Sequence, residues 1–159
     1  MMGAGTDTTA RTLVAITYHL LANPPIFRQL RAELLDAVPV SRNSPPLSVL
    51  ETLLYLNAVI QEGLRIHSGV CLRQERVAPD EDFFFEEDDD NNVSYVILRG
   101  TAIGMTAPLL SRNPNLYPSP NEFRPERYLE DPRLDRYQLT FSRGSRRCIG
   151  VSRRKPTSV

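Results

Sequence analysis

The sequence has few cysteines and no long apolar run, and both shortages limit what the protein can be. Its two cysteines, Cys71 and Cys148, lie far apart and form no repeated spacing. A disulfide framework is therefore not expected, and a reducing compartment is favoured. No apolar run approaches the roughly 18 to 20 residues that cross a bilayer, and no signal peptide is visible. We therefore expect no membrane span within this chain.

The sequence also lacks net charge. It carries 19 Lys and Arg residues against 19 Asp and Glu residues, which gives a formal net charge of zero. This balance argues against a general electrostatic attraction to nucleic acid or to anionic membranes. Lys155 is the only lysine, so nearly all the positive charge is guanidinium. With 159 residues, of which 41% are hydrophobic, the chain is long enough to bury one core.

Apolar residues at helical spacing predict three helices in the first part of the chain. The first helix extends over about Gly3–Ala22 and ends at a proline pair. The second follows Asn23, which can cap it. The third follows Ser48 and Glu51, which have the spacing of a capping box, and extends to about Ile66.

Short strands are predicted after the third helix. Residues Val93–Leu98 favour a strand, Arg99-Gly100 marks a turn, and Thr101–Thr106 is predicted to be the hairpin partner. The acidic stretch 80–92 predicts a solvated loop, because like charges repel. A calcium site is rejected there, since the glycine and terminal glutamate of a hand-type loop are missing. Residues 108–139 are rich in proline, asparagine and arginine, which predicts an ordered meander rather than a regular element.

One cysteine lies in a glycine-flanked turn that is rich in arginine. The turn has the sequence Phe141-Ser142-Arg143-Gly144-Ser145-Arg146-Arg147-Cys148-Ile149-Gly150. Its glycines permit positive φ and let a flat ligand approach the backbone closely, while its arginines favour a thiolate and can pair with carboxylates. Such a turn suits a thiolate held under a metal. The alternative interpretation is a buried, inert cysteine.

This turn and three earlier segments, taken in order, resemble the cytochrome P-450 family. The earlier segments are Ala4-Gly5-Thr6-Asp7-Thr8-Thr9, Glu62-Gly63-Leu64-Arg65 and Phe123-Arg124-Pro125-Glu126-Arg127. The resemblance implies the C-terminal part of that fold, fungal-like and incomplete, and mainly α with a small β-hairpin region. It implies one partial domain over 1–159, divided into the end of the oxygen-side helix at 1–23, two helices at 24–68, a β region at 69–107, a meander at 108–140, the haem-ligand loop at 141–150 and a divergent tail at 151–159.

The resemblance also implies the cofactor and the residues that hold it. The cofactor would be haem b, iron protoporphyrin IX, with Cys148 as the axial ligand that donates electron density to the iron. Arg146 matches the position that pairs with one haem propionate, and Arg76 matches a second propionate contact. The other cofactor-binding residues of the loop would be Phe141, Gly144 and Gly150.

Two further groups of residues have roles implied by the family. Asp7 and Thr8 match the acid and alcohol that deliver protons on the oxygen side of the haem, although Asp7 could instead be a helix N-cap. From spacing alone, Glu62 and Arg65 share one helix face and could be an ordinary surface pair. The family instead buries this pair against the arginine of the meander, here Arg127, in a structural role behind the haem pocket.

As a whole, the family resemblance implies a haem-thiolate monooxygenase that inserts one oxygen atom of O2 into an organic substrate. The electrons would come from an NADPH-dependent reductase. The alternative is an inactive truncated product or an interaction remnant. The family suggests the cytosolic face of the endoplasmic reticulum, but the anchor and the N-terminal elements are not in this chain, so localisation stays open. The tail after Gly150 contains Pro156 and cannot supply the long helix that the family has there. We therefore expect the isolated chain to bind haem weakly or not at all.

Two other patterns are given ordinary explanations. His19 and His67 do not belong to a complete ligand set, so a tetrahedral zinc site is not expected. The basic residues between Arg143 and Lys155 could form a nucleic-acid patch, but they lack interleaved aromatic residues and half of them belong to the cysteine turn. Neither metal binding by histidine nor nucleic-acid binding is predicted.

Overall fold

The computed structural model describes residues 2–38, 45–86 and 94–150. The chain divides into two compact units. The first, here called the helical unit, combines residues 1–71 with 107–159, and the second, the strand unit, comprises residues 72–106. The expected mainly α composition with a small antiparallel β region is confirmed.

The helical unit contains six α-helices and two short 3-10 helices among the described residues. The α-helices are α1 Met2–Ala22, α2 Pro24–Ala37, α3 Leu47–Leu50, α4 Leu54–Ile66, α5 Ala107–Ser111 and α6 Glu126–Glu130, and the 3-10 helices are Pro132–Tyr137 and Gly144–Arg146. Residues 108–139, which were predicted to be a meander without regular elements, contain most of α5, all of α6 and the first 3-10 helix. This segment is therefore more regular than predicted. No helix in the described ranges has both the length and the hydropathy to cross a bilayer.

Helix α4 lies at the centre of the helical unit. One apolar cluster joins its Tyr55 and Val59 to Leu30 of α2 and to Phe123. A second cluster joins its Ala58 to Tyr117 and to Tyr128 of α6. Because α4 supplies residues to both clusters, its position is fixed from several sides at once, and its predicted end at Ile66 is confirmed.

The predicted helix caps are wrong in detail. Asn23 stands before α2, but its side-chain amide donates backward to the carbonyl of His19 (2.7 Å) instead of capping α2. Ser48 lies within α3 and Glu51 follows that helix, so the two residues do not form a capping box for α4. The first turn of α4 is instead capped by a carboxylate from a different helix.

That carboxylate belongs to Glu33 of α2. Its two oxygens accept hydrogen bonds from the backbone amides of Tyr55 and Leu56, each at 2.8 Å. These amides belong to the first turn of α4, where backbone N–H groups have no partner within the helix and where a negative charge is favoured. The hydroxyl of Tyr55 in turn donates to Glu126 at the start of α6 (2.7 Å). The beginning of α4 is thereby tied to α2 on one side and to α6 on the other.

Helices α1 and α4 meet at a glycine. A Cβ atom added at Gly63 would lie 2.7 Å from Cδ1 of Ile16 and closer still to Cγ1. Helix propensity alone counts a glycine within a helix as a cost of about 1 kcal/mol relative to alanine. The close approach of Ile16 explains why a residue without a side chain occupies this position.

Gly63→Ala is therefore expected to destabilise the helical unit, although alanine is the better helix former. Overpacking a core costs about 1–3 kcal/mol, which exceeds the gain in propensity. The matched control is Gly5→Ala in α1, where nothing lies within 4 Å of an added Cβ. Urea unfolding monitored by circular dichroism should show a lower midpoint for Gly63→Ala and an unchanged or higher one for Gly5→Ala. If Gly63→Ala matched the wild type, the close packing of α1 on α4 would be refuted.

The strand unit contains two antiparallel pairs, and the predicted hairpin is wrong. Its strands are β1 Gln74–Val77, β2 Phe83–Glu86, β3 Ser94–Ile97 and β4 Ala102–Met105. The predicted partners β3 and β4 do not pair with each other, because β2 pairs with β3 and β1 pairs with β4. The turn at Arg99-Gly100 exists, with Gly100 at φ +79, but it leads the chain from one pair to the other.

The acidic stretch is only partly a loop. Residues Phe83–Glu86 form strand β2, which pairs antiparallel with β3. All four residues of β2 are exposed. Residues 80–82 have no regular secondary structure, as the prediction of a loop requires. Residues 87–92 lie outside the described residues, as does Val93. The aromatic run within the acidic segment therefore forms a strand that the charge pattern did not predict.

Candidate functional site

A buried cluster of three charged side chains lies against α4. Glu62 is fully buried, and Arg65 and Arg127 are nearly so. Arg65 donates to both carboxylate oxygens of Glu62, from Nε at 2.7 Å and from Nη2 at 2.8 Å. Arg127 of α6 donates from Nε to Oε1 of Glu62 at 3.1 Å, and the backbone amide of Arg124 donates to the same oxygen at 2.9 Å. One carboxylate thus binds two guanidinium groups and one amide.

The two guanidinium groups also hold the irregular segment between α5 and α6. Arg65 donates to the carbonyls of Ser111, Pro120 and Glu122 at 2.7–3.1 Å. Arg127 donates to the carbonyls of Pro118 and Ser119 at 2.9 and 3.4 Å. The cluster contains two positive charges and one negative charge, and these carbonyl dipoles offset the excess. The segment has little regular structure of its own, so its path is set by the two arginines.

An aromatic ring completes the cluster. The guanidinium carbon of Arg65 lies 5.1 Å from the ring centroid of Tyr117, which is fully buried. Burial raises the pKa of Tyr117, and the nearby Arg65 opposes that rise. A cation over an aromatic face is attracted most strongly where water is excluded. The spacing within the sequence indicated Glu62 and Arg65, and the family resemblance added Arg127. Neither indicated Tyr117.

The cysteine turn forms a closed loop. The backbone amide of Cys148 donates to the carbonyl of Phe141 at 2.8 Å. Between them the chain reverses through two residues with positive φ, Ser142 at +59° and Gly144 at +74°. Gly144 takes up the left-handed conformation that was expected of it, whereas Gly150 does not have positive φ. A Cβ at Gly150 would lie 3.6 Å from the sulfur of Cys148, so the absent side chain keeps that side of the sulfur open.

The sulfur of Cys148 can be reached by an external ligand. Both cysteines are free, and both are exposed, so the interpretation of Cys148 as a buried cysteine is wrong. In the described ranges, no three His, Cys, Asp or Glu side chains are grouped closely enough to hold a metal ion. A single accessible sulfur suits haem, because the porphyrin would supply most of the iron ligands and the protein would need to supply only one atom. The residues of this loop therefore fit a haem iron better than a metal held by protein side chains alone.

Arg146 and Arg76 lie in different units. Arg146 ends the short 3-10 helix just before Cys148 and is exposed. Arg76 lies in β1 opposite Ile103 of β4, and its Nη1 donates to the carbonyl of Glu75 at 2.9 Å. Arg146 thus lies two residues before the candidate ligand in the chain. Arg76 belongs to the strand unit, and its role as a propionate contact stays a prediction.

Asp7 and Thr8 lie in the first half of α1. Asp7 accepts a hydrogen bond from Nε of Arg11 at 2.9 Å, and its side chain is 63% exposed. Because α1 begins at Met2, Asp7 lies inside the helix, and the alternative that it is an N-cap is wrong. The carbonyl of Thr8 accepts a hydrogen bond from the hydroxyl of Thr12 at 2.9 Å. Thr8 also packs beside Gly69, where an added Cβ would lie 3.2 Å from its own Cβ.

His19 connects α1 to the neighbourhood of the charged cluster. Its ring stacks on Phe123, with centroids 4.7 Å apart and the planes within 3° of parallel. Desolvation lowers the pKa of His19, and the negative charge of Glu62 works in the opposite direction. The sequence indicated this residue only as an incomplete metal ligand, because a stacking partner more than a hundred positions away leaves no local pattern.

The lowered pKa of His19 predicts a pH dependence of stability. The usual value is 6.5, so on acidification the unfolded chain binds a proton more readily than the folded one. The stability that neutral His19 contributes is present above about pH 6.5 and is lost as the pH falls through the lower folded-state value. His19→Phe keeps a stacked ring and removes the titration. Urea unfolding between about pH 7.5 and pH 5 should show a smaller loss of stability in this variant than in the wild type. Equal losses in both proteins would contradict the assignment.

Comparison with known proteins places these features in a family. A family profile described as Cytochrome P450 matches residues 1–152. The chain is 43% identical over 156 residues to a cytochrome P450 monooxygenase of Ascocoryne sarcoides, covering 96% of this chain and 29% of that protein. It is 39% identical over 155 residues to the cytochrome P450 monooxygenase oblB of Aspergillus clavatus, covering 96% and 28%. It is also 39% identical over 154 residues to a fusicoccadiene C-8 hydroxylase of Phomopsis amygdali, covering 95% and 28%. The chain thus spans less than a third of the length of these relatives.

Proposed function

The chain belongs to the cytochrome P450 family, and on that basis we propose that it is the C-terminal part of a haem-thiolate monooxygenase. Its reaction would insert one oxygen atom of O2 into an organic substrate, with electrons from an NADPH-dependent reductase. The observation that carries the proposal is the exposed sulfur of Cys148 in a closed, glycine-bounded loop. The monooxygenase names of the relatives support the same reaction class.

In this proposal the chain would supply one ligand to the haem iron and the contacts that orient the cofactor. Haem b, when bound, supplies the electron-transfer and oxygen chemistry. Cys148 would bind the iron through its thiolate, with Phe141, Gly144 and Gly150 shaping the loop around it. Arg146 and Arg76 would each pair with a propionate, for which a guanidinium is suited by charge and geometry.

Asp7 and Thr8 would move protons on the oxygen side. The hydroxyl of Thr8 can both donate and accept, and the carboxylate of Asp7 can take up a proton from solvent and pass it on. Asp7 pairs with Arg11 on an exposed helix face, and such pairs contribute only about 0.3–0.5 kcal/mol. Arg11 can therefore release the carboxylate at little cost when a proton has to be carried.

Glu62, Arg65 and Arg127 would have a structural role behind the haem pocket. Their side chains are buried and bonded to one another and to carbonyl groups, so they are not free to exchange protons or bind substrate. Their contribution would be to fix α4 and the segment between α5 and α6, both of which precede the cysteine loop in the chain.

A segment exchange tests the proposal. Residues 1–150 would replace the corresponding segment of the Ascocoryne sarcoides relative, which supplies the remainder of the fold. The purified protein would be reduced and exposed to carbon monoxide. We expect the red-shifted Soret band of a thiolate-ligated haem. A protein that folds and binds haem but lacks this band would contradict the proposal and favour an inactive remnant.

A further inference from the structure

Two polar side chains fix the segment before the cysteine loop to α4. Nε2 of Gln138 donates to the carbonyl of Gln61 at 2.6 Å and to the hydroxyl of Tyr128 at 2.9 Å. The hydroxyl of Thr140 donates to the carbonyl of Leu64 at 3.0 Å. Neither side chain belongs to a motif that the sequence indicated. Together they attach this segment to α4 at two carbonyls three residues apart.

The Thr140 contact satisfies a specific need of α4. Leu64 lies in the last turn of the helix, which ends at Ile66, and carbonyls of a last turn have no amide partner within the helix. The Thr140 hydroxyl supplies a donor for this carbonyl. Because Thr140 is itself half-buried, few water molecules can replace it at this position. The contact therefore favours one placement of the segment over others.

The attachment leads directly to the sulfur-bearing residue. Phe141 follows Thr140, and its carbonyl accepts the backbone amide of Cys148 at 2.8 Å. The loop between Phe141 and Cys148 is thus closed on the residue next to the anchor. Helix α4 also carries Glu62 and Arg65, whose buried bonds hold it in place. Hydrogen bonds, joined by short stretches of backbone, therefore connect the buried charged cluster to the backbone of Cys148.

We propose that Thr140, assisted by Gln138, is a positioning residue that sets the place of Cys148 relative to α4. The consequence for iron ligation rests on the proposed function, because the position of the sulfur matters to haem only if the sulfur binds it. Thr140 does not touch the reacting atoms in this account. It acts through Phe141 and the loop that closes on it.

Hydrogen exchange of the full chain tests the positioning. Thr140→Val keeps the β-branched shape and removes the hydroxyl. The backbone amide of Cys148 should exchange about 5- to 10-fold faster in this variant, the effect expected from losing one net hydrogen bond. The amide of Tyr55, bonded to Glu33 at the other end of α4, is the internal reference and should be unchanged. The matched control is Thr52→Val, whose hydroxyl donates to the carbonyl of Val49 at 2.7 Å in an exposed turn.

The outcomes separate positioning from general stability and from the proposed function. Faster exchange at Cys148 alone supports the proposal. Equal acceleration at Cys148 and Tyr55, or no change at Cys148, overturns it. The second measurement uses the haem-loaded segment-exchange protein, in which residues 1–150 replace the corresponding segment of the Ascocoryne sarcoides relative. There Thr140→Val should reduce the share of the thiolate-type carbon monoxide band, with Thr52→Val as the control. If the segment-exchange protein without this substitution never shows that band, the proposed function fails. The hydrogen-exchange rates of the full chain still decide whether Thr140 positions Cys148.

Discussion

Glu62→Ala is expected to unfold the helical unit or to bring it close to unfolding. The substitution removes the carboxylate that binds Arg65 and Arg127 and leaves two buried guanidinium groups without a counter-charge. Breaking a buried pair in this way costs about 3–5 kcal/mol. A small domain is stable by only about 5–15 kcal/mol in total, so the loss is a large fraction of the whole. The amide of Arg124 loses its acceptor as well.

An exposed ion pair provides the control for this experiment. Glu130 pairs with the guanidinium of Arg124, and both side chains are substantially exposed. Glu130→Ala should change stability by about 1 kcal/mol or less, because surface pairs contribute little. Urea unfolding monitored by circular dichroism should therefore show a large decrease in midpoint for Glu62→Ala and almost none for Glu130→Ala. Similar midpoints for the two variants would show that the buried cluster does not support the fold.

Cys148→Ser is expected to abolish the thiolate-type carbon monoxide band of the haem-loaded segment-exchange protein. A serine hydroxyl at this position cannot provide the thiolate that gives the band its position. Cys71→Ser is a matched control, since Cys71 is also free and exposed, and its thiol donates to the carbonyl of Ser68 at 3.1 Å. Absorption spectra of the reduced, carbon monoxide-treated proteins measure the difference.

The two cysteine variants can also give the opposite result. If the band persists in Cys148→Ser and disappears in Cys71→Ser, Cys71 is the ligand and the loop assignment is wrong. Circular dichroism of each variant shows whether the fold is intact. If the band is lost from Cys148→Ser while the helical signal is unchanged, the loss reflects the missing ligand rather than unfolding.

The features that the sequence predicted well depend on neighbouring residues. The periodicity of apolar side chains located α1, α2 and α4, and the end of α4 at Ile66 was confirmed. The motif spacings indicated the family, which the comparisons confirmed. Glu62 and Arg65 could be paired from their separation of three residues, because a helix places such residues on one face.

The features that the sequence did not predict depend on residues distant in the chain. The cap of α4 comes from Glu33, more than twenty positions before it, so a local capping box was predicted in its place. The strand pairing was wrong because β1 and β4 are separated by the whole of β2 and β3, and a turn signal suggested only the adjacent partner. The anchors Gln138 and Thr140 contact carbonyls more than seventy positions away. The roles assigned to Asp7, Thr8, Arg146 and Arg76 stay predictions.

The sequence by itself determined the family, the helical character and the residue types available for chemistry, because these follow from local spacing and side-chain identity. The tertiary structure alone decided that Glu33 of α2 caps α4 and that Thr140 links α4 to the loop of Cys148. The physical reason is that a hydrogen bond or a buried charge pair depends on distance in space, and only the folded chain brings these distant groups within reach of one another.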